Sequence, residues 1–249
     1  MTIPSLEATG KVVVVTGASK GLGRAMALGF GEAGADVVVA SRKLEACEVV
    51  ADEIRSMGRR ALAVAAHVGD WDQCATLIDA TVAEFGRIDV LVNNAGIAPV
   101  PPSLLDVTRE LFDKTIGVNL RGPLRLTALA AEHMPRGGSV INTSSTASLH
   151  PNSVTVVYAA AKAGLNALTK ATANEFGPRG IRANAIVCGT FHTDSLHASL
   201  PSEDLRAQMA ARVSLGRIAS ADEIVGTALY LASDASSYMT GELIVLDGG

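Results

Sequence analysis

The sequence predicts an α/β fold: one open, doubly wound parallel sheet of about seven strands, with helices on both faces. Short apolar runs rich in Val, Ile and Ala alternate with longer segments of helical period throughout the 249 residues. Several of these runs are apolar at nearly every position, as in strands that helices cover on both faces. No linker or internal repeat interrupts the alternation, and we therefore expect residues 1–249 to form a single domain.

The predicted strands are apolar, largely β-branched runs between turn-forming residues. They are residues 11–16, 36–41, 61–66, 88–93, 139–144, 181–187 and 243–246. The predicted helices fill the intervals between strands. They are residues 22–34, 44–57, 71–85, 104–134, 157–177 and 222–232. Each complete interval is long enough for a crossover that joins two parallel strands.

One long segment, of about residues 188–215, shows neither the helical nor the strand periodicity of apolar residues, and it lies between the last two strands. It has room for one short helix at residues 202–212. A long connection at the carboxyl end of a parallel strand is a common place for substrate to bind. We therefore expect a substrate loop here, with an ordinary surface loop as the alternative.

Composition excludes several classes of function. The net charge is −4 and no run of Lys and Arg occurs, so the sequence does not indicate nucleic-acid binding. The three cysteines, Cys47, Cys74 and Cys188, are too far apart to form a metal site or a disulfide framework. The first residues contain no apolar signal region, and no apolar run approaches the roughly 20 residues that span a bilayer. We expect a cytoplasmic protein without a metal or a membrane partner.

A glycine-rich turn, TGASKGLG at residues 16–23, follows the first strand and opens the first helix. Gly17, Gly21 and Gly23 allow a tight turn and a close approach of the backbone to a phosphate. The free N–H groups of the following helix favour an anion. The spacing differs from the common GxGxxG pattern, but the position of the turn predicts a dinucleotide site.

The end of the second strand indicates which dinucleotide is preferred. NAD-binding units usually carry an acidic residue there, which binds the ribose hydroxyls. This chain has Ser41, followed by Arg42, and a further cation, Lys20, lies in the glycine turn. Arg can bind a 2′-phosphate through charge-assisted hydrogen bonds. The sequence therefore favours NADP(H) as cofactor, with NAD(H) as the alternative.

Tyr158 and Lys162 are four residues apart in the segment YAAAK, so a helix would place both side chains on one face. A cation about 4 Å from a phenol contributes about 4 kcal/mol at an effective dielectric constant near 20. That energy equals about three pKa units. We therefore expect Lys162 to lower the pKa of Tyr158 and to make it an acid–base catalyst near neutral pH.

These motifs, in this order and spacing, resemble those of the short-chain dehydrogenase/reductase family over almost the whole chain. The matching segments are TGASKGLG (16–23), NNAG (93–96), Asn119 in GVNL, Ser145 thirteen residues before Tyr158, YAAAK (158–162) and LDGG (246–249). The resemblance implies a Rossmann fold and hydride transfer between a nicotinamide cofactor and a carbonyl or an alcohol.

The resemblance also implies roles for individual residues. Asn119, Ser145, Tyr158 and Lys162 would form the catalytic set, with Ser145 holding the substrate oxygen and Asn119 anchoring a water that links Lys162 to solvent. Together with the glycine turn it implies a set of cofactor contacts: Gly17, Ser19, Lys20, Gly21, Leu22, Gly23, Ser41, Arg42, Val68, Asn94, Ala95, Gly96, Tyr158, Lys162, Gly189, Phe191 and Thr193.

Two positions depart from the family pattern. Cys188-Gly189 replaces the usual Pro-Gly pair after the sixth strand. His67 stands where an acidic residue often precedes Val68 beside the adenine. The first departure leaves Gly189 and Thr193 available to the nicotinamide carboxamide. The second puts the adenine contact in question but not the chemistry.

The predicted substrate is a small-molecule carbonyl or alcohol, because no cluster of Arg or Lys marks the expected pocket wall. One alternative is a 3-oxoacyl-[acyl-carrier-protein] reductase, with Arg136 and Arg179 at positions that would meet an acidic acyl carrier protein. Two further alternatives are a non-catalytic dinucleotide-sensing protein and a sugar-nucleotide epimerase. The resemblance implies a homo-tetramer, and a dimer remains open.

Overall fold

The computed structural model describes residues 5–193, 196 and 202–249. All strands in this part of the chain belong to one sheet. They are β1 (Val12–Thr16), β2 (Asp36–Ser41), β3 (Ala61–Ala65), β4 (Val90–Asn93), β5 (Gly138–Ser145), β6 (Ile181–Cys188) and β7 (Leu243–Leu246). Their order across the sheet is β3-β2-β1-β4-β5-β6-β7, and all neighbours are parallel. The predicted fold class is confirmed.

Helices cover both faces of this sheet. They are α1 (Gly21–Glu32), α2 (Leu44–Ser56), α3 (Trp71–Phe85), α4 (Arg109–Ile116), α5 (Gly122–Glu132), α6 (Val156–Phe176), α7 (Glu203–Ala210) and α8 (Val225–Ala232). In β1, Val13 and Val15 pack in one apolar cluster with Phe30 of α1, and Val14 packs in a second with Leu77 of α3. The buried strands are therefore apolar at consecutive positions because successive side chains enter different cores.

The order of the strands determines where a ligand can bind. From β1 the chain moves outward through β2 to β3, and it then returns to place β4 on the other side of β1. The connections after β1 and β4 therefore leave the sheet in opposite directions. In open α/β sheets this change of direction opens a crevice at the carboxyl ends of the strands, where ligands bind.

The prediction of one helix over 104–134 is wrong. A 3₁₀ turn at Leu104–Asp106 comes first, and α4 begins only after Thr108, whose side chain accepts a hydrogen bond from the Leu111 amide. A π-turn at Gly117–Arg121 then separates α4 from α5. Helical period continues through all three pieces, which is why the sequence pattern did not reveal the breaks.

The later segments match their predictions in part. The helix predicted at 222–232 begins with a 3₁₀ turn at Ala221–Ile224, capped by Ser220 and Glu223, and continues as α8. The short helix predicted at 202–212 is α7, which is capped by Ser202. Residues 194, 195 and 197–201 of the predicted substrate loop lie outside the described residues. Among the helices that the structure describes, none combines the length and the apolar character that a bilayer crossing requires.

Candidate active site

A cavity of about 730 Å³ lies at the carboxyl ends of the strands. Its wall is formed by residues that end or follow the first six strands, together with the first turns of α1 and α6 and with residues of α4 and the π-turn after it. All the residues predicted to contact a cofactor line this cavity: Gly17, Ser19, Lys20, Gly21, Leu22, Gly23, Ser41, Arg42, Val68, Asn94, Ala95, Gly96, Tyr158, Lys162, Gly189, Phe191 and Thr193. Ser145 also lines it, and Asn119 does not.

The glycine turn forms one end of the cavity. Gly17 and Gly21 have φ angles of 65° and 54°, a conformation that other L-residues rarely adopt. At Gly23 a Cβ atom would lie 2.3 Å from the carbonyl oxygen of Gly17, so a side chain cannot fit there. The N-cap residue of α1, Lys20, makes no side-chain hydrogen bond to the first turn of the helix. The turn therefore presents free N–H groups at a close-packed backbone, as an anion site requires.

Thr16, the last residue of β1, and Asn94, the first residue after β4, together brace this turn. The Thr16 hydroxyl donates to the Val92 carbonyl at 3.1 Å and accepts from the amides of Asn94 and Ala95 at 3.0 and 3.1 Å. The Asn94 side-chain nitrogen donates to the Thr16 carbonyl at 2.8 Å. These bonds hold the ends of β1 and β4 together. Thr16 was missed by the sequence reasoning, although a hydroxyl residue between an apolar strand and a glycine turn was its visible signal.

The cavity is cationic. Its lining in the described residues contains five cationic side chains and no carboxylate: Lys20, Arg42, Lys43, Lys114 and Lys162 are the cations. Within the described part of the chain, Arg42 makes no ion pair and is exposed. Lys114 was not predicted, because its helix α4 had been merged with α5. This charge distribution favours a polyanionic ligand.

Tyr158, Lys162 and Ser145 meet at the other end of the cavity. Tyr158 and Lys162 lie on one face of α6, as predicted, and Ser145 ends β5. The Lys162 ammonium donates to the Thr143 carbonyl at 2.7 Å and lies 5.7 Å from the centroid of the Tyr158 ring. The Ser145 hydroxyl oxygen accepts from the Ala147 amide at 3.2 Å. A phenol, an alcohol and an ammonium thus face the same space.

The pKa of Tyr158 differs from the expectation. Burial raises this pKa, a hydrogen bond with Ser145 lowers it, and the nearby Cys188 raises it further; the rise dominates. The predicted lowering of this pKa is not found, because the burial of the phenol outweighs the hydrogen bond from Ser145. Burial lowers the pKa of Lys162 to about 8. A bound oxidised nicotinamide would be a separate source of positive charge beside the phenol.

Asn119 lies behind the cavity and is fully buried. Its side-chain nitrogen donates to the carbonyls of Ile97 and Thr115 at 2.8 and 2.9 Å, and its oxygen accepts from the Ile97 amide at 3.2 Å. A Cβ at Gly96 would lie 2.9 Å from the Asn119 oxygen and 3.6 Å from the Lys162 ammonium. Asn119 therefore stabilises the π-turn and the strand end after β4, with only Gly96 between it and Lys162.

His67 lines the cavity where β3 ends. The Gly69 amide donates to its Nδ1 at 3.1 Å. Nδ1 must therefore be unprotonated, and in a neutral ring the proton resides on Nε2. The ring edge that is left for a ligand is consequently a donor, whereas an acidic residue at this position would be an acceptor.

The substrate side of the cavity is formed by uncharged residues. Ile97, Ala98, Thr190 and Leu196 line it, and the backbone of Phe191 pairs with that of Ala219. His150 and His192, which follow β5 and β6, are not among the lining residues. Within the described residues no cluster of three or more potential metal ligands occurs.

The chain was compared with known proteins. Residues 17–249 match the family model adh_short_C2, described as Enoyl-(Acyl carrier protein) reductase. The L-rhamnose 1-dehydrogenase (NAD(P)(+)) of Azotobacter vinelandii is 41% identical over 246 residues, which cover 96% of this chain and 96% of that protein.

Solved structures agree with the observed architecture. A short-chain type dehydrogenase/reductase from Mycobacterium marinum superposes with a TM-score of 0.91 at 39% identity, covering 98% of this chain and 96% of that one. A blue fluorescent protein from a metagenomic library, solved in complex with NADPH, superposes with a TM-score of 0.91 at 32% identity and covers 97% of this chain and 98% of that one.

Proposed function

The chain belongs to the short-chain dehydrogenase/reductase family and is an NAD(P)-dependent oxidoreductase that acts on CH–OH groups, and from this premise we propose that it uses NADP(H) and that Tyr158 is its acid–base catalyst. The observation that carries the proposal is the cavity itself. A cationic end with a glycine turn and a reactive end with Tyr158, Ser145 and Lys162 form one continuous space. Because the relatives at 37–41% identity include named dehydrogenases and a reductase, the non-catalytic dinucleotide sensor is no longer a candidate.

The residues of the cavity fit a dinucleotide phosphate. The uncapped start of α1 and the close-packed Gly23 suit a pyrophosphate. Ser41 and Arg42, with no carboxylate in the described lining, suit a 2′-phosphate better than free ribose hydroxyls. The buried hydroxyl of Thr143, in the wall near Lys162, has no hydrogen-bond partner among the described residues, as expected of a group that pairs with a ligand.

In the mechanism we propose, the cofactor supplies or accepts a hydride and the protein handles the proton. During reduction, the Tyr158 phenol donates its proton to the substrate oxygen, and the Ser145 hydroxyl donates a hydrogen bond to the same oxygen. Lys162 supplies a fixed positive charge that stabilises the phenolate left behind. Thr143 keeps the ammonium in place throughout, and Asn119 holds the strand end beside it.

The experiment that tests this proposal is a substrate panel. NADPH oxidation would be followed at neutral pH with simple ketones, aldehydes and cyclic ketones, and NADP⁺ reduction with the corresponding alcohols. We expect turnover with at least one carbonyl, and we expect Tyr158→Phe to abolish it while NADPH still binds. Full turnover by the Tyr158→Phe protein would refute Tyr158 as the acid–base catalyst.

A second candidate substrate class is a sugar hemiacetal, oxidised at C1 to a lactone. The similarity to an L-rhamnose 1-dehydrogenase favours it, and the uncharged substrate side of the cavity fits a neutral polyol. L-rhamnose and related neutral aldoses therefore belong in the panel with NADP⁺. A higher kcat/KM for an aldose than for any simple alcohol would select this class.

Fewer observations support the alternative that the substrate is a 3-oxoacyl thioester on a carrier protein. Arg136 is exposed, but the guanidinium of Arg179 lies over the Phe176 ring at 5.4 Å and donates to the Ala131 carbonyl, so it is already engaged. Carrier docking would then depend mainly on Arg136. A 3-oxoacyl thioester, free and on a carrier protein, tests the alternative in the same assay.

We also propose a homo-tetramer. Phe112 and Leu124, on α4 and α5, expose apolar surface, and so do Tyr238 and Val245 near the carboxyl terminus. Two separate exposed apolar surfaces are what an assembly with two kinds of interface requires. Light scattering gives the mass directly, and a mass of two chains would reduce the proposal to one interface.

A further inference from the structure

Asn166 extends the reactive face of α6 by one turn. Tyr158, Lys162 and Asn166 are spaced by four residues, so their side chains emerge on the same side of the helix. Asn166 is buried. It is not part of the catalytic set that the sequence indicates, and it does not line the cavity. Its amide nevertheless makes two hydrogen bonds to residues next to Ser145.

The two ends of this amide hold two different serines. The Asn166 oxygen accepts from the Ser144 hydroxyl at 2.7 Å, and the Asn166 nitrogen donates to the Ser148 hydroxyl oxygen at 2.8 Å. The Ser148 hydroxyl in turn donates to the Ser145 carbonyl at 2.6 Å. Each hydroxyl has a single proton, so this pattern also fixes the orientation of the amide.

Ser145 therefore lies between two residues that Asn166 holds. We propose that Asn166 is a positioning residue, which sets the separation between Ser145 and Tyr158 by tying the turn after β5 to helix α6. This inference rests on the proposed function, since it assumes that Ser145 and Tyr158 act on the same substrate oxygen. A misplacement of about 1 Å in such a pair can reduce turnover about 100-fold.

The separation has a measurable consequence for proton transfer. The hydrogen bond from Ser145 opposes the rise in the Tyr158 pKa that burial causes. If the turn is released, this opposition weakens and the pKa of Tyr158 rises further. The other titratable groups that face Tyr158 are Lys162 on α6 and Cys188 on β6, and neither contacts the Asn166 amide. Lys162 loses its proton near pH 8 in every one of these proteins, so the shift of the alkaline limb between variants, and not its absolute position, reports the Ser145–Tyr158 contact.

The test compares Asn166→Ala with Ser148→Ala, with the double variant and with a matched control, Asn184→Ala. Asn184 is a buried amide that bonds the Met239 carbonyl and the Glu242 amide at 3.0 and 3.1 Å, and it does not line the cavity. Each protein is assayed for kcat, for NADPH affinity by fluorescence, for the pH dependence of kcat/KM in reduction, and for thermal unfolding.

For Asn166→Ala we expect kcat to fall at least about 10-fold, the Kd for NADPH to stay within twofold, and the alkaline limb to move to higher pH. Ser148→Ala should change the same quantities in the same direction, and the double variant should be no worse than Asn166→Ala alone, because one chain of bonds is cut twice. Asn184→Ala should lower the unfolding temperature and leave the pH profile unchanged.

Two results would overturn the inference. One is an unchanged pH profile for both Asn166→Ala and Ser148→Ala. The other is additive loss in the double variant, which would mean that the two residues act separately. If Asn166→Ala does not fold, Ser148→Ala decides alone, since it cuts the same link at a half-buried turn. Retained turnover by Tyr158→Phe would instead refute the proposed function, which keeps the two failures distinct.

Discussion

The Lys162 ammonium donates a hydrogen bond to the main-chain carbonyl of Thr143 at 2.7 Å. This contact fixes a buried cation at the end of β5, beside the phenol of Tyr158 but not bonded to it in the described structure. A buried ammonium with one protein acceptor is costly, because water would have paired with all three of its donors. The reactive end of the cavity is therefore also a weak point in the stability of the fold.

Lys162→Met should stabilise the protein and abolish catalysis. Lowering the pKa of Lys162 from 10.5 to about 8 means that folding disfavours the charged form by roughly 3 kcal/mol. Lys162→Met relieves this penalty, but it also removes the hydrogen bond to Thr143, which is worth about 1 kcal/mol. A gain of about 1–2 kcal/mol would raise the unfolding temperature by several degrees in a domain of this size. Calorimetry measures this gain, and kcat measures the loss.

The stability gained by Lys162→Met should depend on pH. The unfolded lysine keeps its proton up to its ordinary pKa of 10.5, whereas the folded one loses it near 8. The penalty is therefore complete below about pH 8 and is relieved as the pH rises toward 10.5, since the unfolded state then binds more protons than the folded state. The difference in unfolding temperature between Lys162→Met and wild type should shrink between pH 7 and pH 10. A difference that grew over this range would contradict the assignment.

Tyr158→Phe should reduce kcat at least about 100-fold in both directions. The matched control is Tyr230→Phe, because Tyr230 is half-buried on α8 and lies outside the cavity. Since the pKa of Tyr158 is raised in the ligand-free protein, kcat/KM for alcohol oxidation should still be rising above pH 8. In reduction, where the phenol is the acid, kcat/KM should be flat through neutral pH. A reduction profile that falls through neutral pH would contradict this reading.

The fold could be predicted because its signals are local and repeated. Consecutive valines in β1 and β2 are buried on opposite faces, and this burial is visible in the sequence as unbroken apolar runs. The π-turn around Asn119 could not be predicted, because the amide bonds of Asn119 to Ile97 and Thr115 bring together parts of the chain that no periodic pattern links.

The sequence allowed us to predict which residues line the site but not the hydrogen bonds that they make with one another. The glycine turn and the Tyr158–Lys162 spacing are local motifs, so their position at one edge of the sheet follows from the topology. The Lys162 contact with Thr143 and the Asn166 contacts with Ser144 and Ser148 join distant segments. For the same reason, the sequence argument gave the wrong direction for the Tyr158 pKa: it could not include the burial of the phenol.

Gly23→Ala should disrupt the glycine turn. The new Cβ would lie 2.3 Å from the Gly17 carbonyl oxygen and 2.4 Å from the Asn94 side-chain nitrogen, so the turn must shift. Such overpacking costs about 1–3 kcal/mol, and we expect NADPH affinity to fall about 10-fold or more. Gly226→Ala is the control: apart from the adjoining backbone of α8, no heavy atom of the described residues lies within 4 Å of its Cβ position, and it should gain about 0.5–1 kcal/mol in stability. Unchanged NADPH binding by Gly23→Ala would exclude the turn as the phosphate site.

Arg42→Ala should weaken the preference for NADPH over NADH. A charge-assisted contact with a 2′-phosphate is worth about 1.5–3 kcal/mol, or about 10-fold or more in the ratio of kcat/KM values. The control is Arg59→Ala, an exposed arginine that precedes β3 and so lies at the amino ends of the strands, away from the cavity. The preference of the wild-type protein should also weaken with salt, because Arg42 is exposed. Equal use of both cofactors by the wild-type protein would contradict the proposed NADP(H) preference.

Because His67 stands where an acidic residue often lies, the wild-type protein should not select NADPH through the 6-amino group of its adenine. An acidic residue accepts a hydrogen bond from that amino group, but the free edge of His67 is a donor while its Nδ1 is bonded to the Gly69 amide. The hypoxanthine analogue of NADPH carries an acceptor oxygen in place of the donor amino group, so NADPH should bind the wild-type protein no more tightly than this analogue. Fluorescence titration of the reduced nicotinamide measures both dissociation constants.

The matched variants are His67→Asp and His67→Asn, which have nearly the same shape and can both accept from the Gly69 amide. The Asp side chain then presents a second acceptor, and the Asn side chain presents a donor. His67→Asp should bind NADPH about 10-fold more tightly than the hypoxanthine analogue, equal to about 1.4 kcal/mol. His67→Asn, like the wild-type protein, should show no preference for NADPH. A strong preference of the wild-type protein for NADPH would mean that the imidazole donates to a purine ring nitrogen, and it would reject this reading of the adenine site.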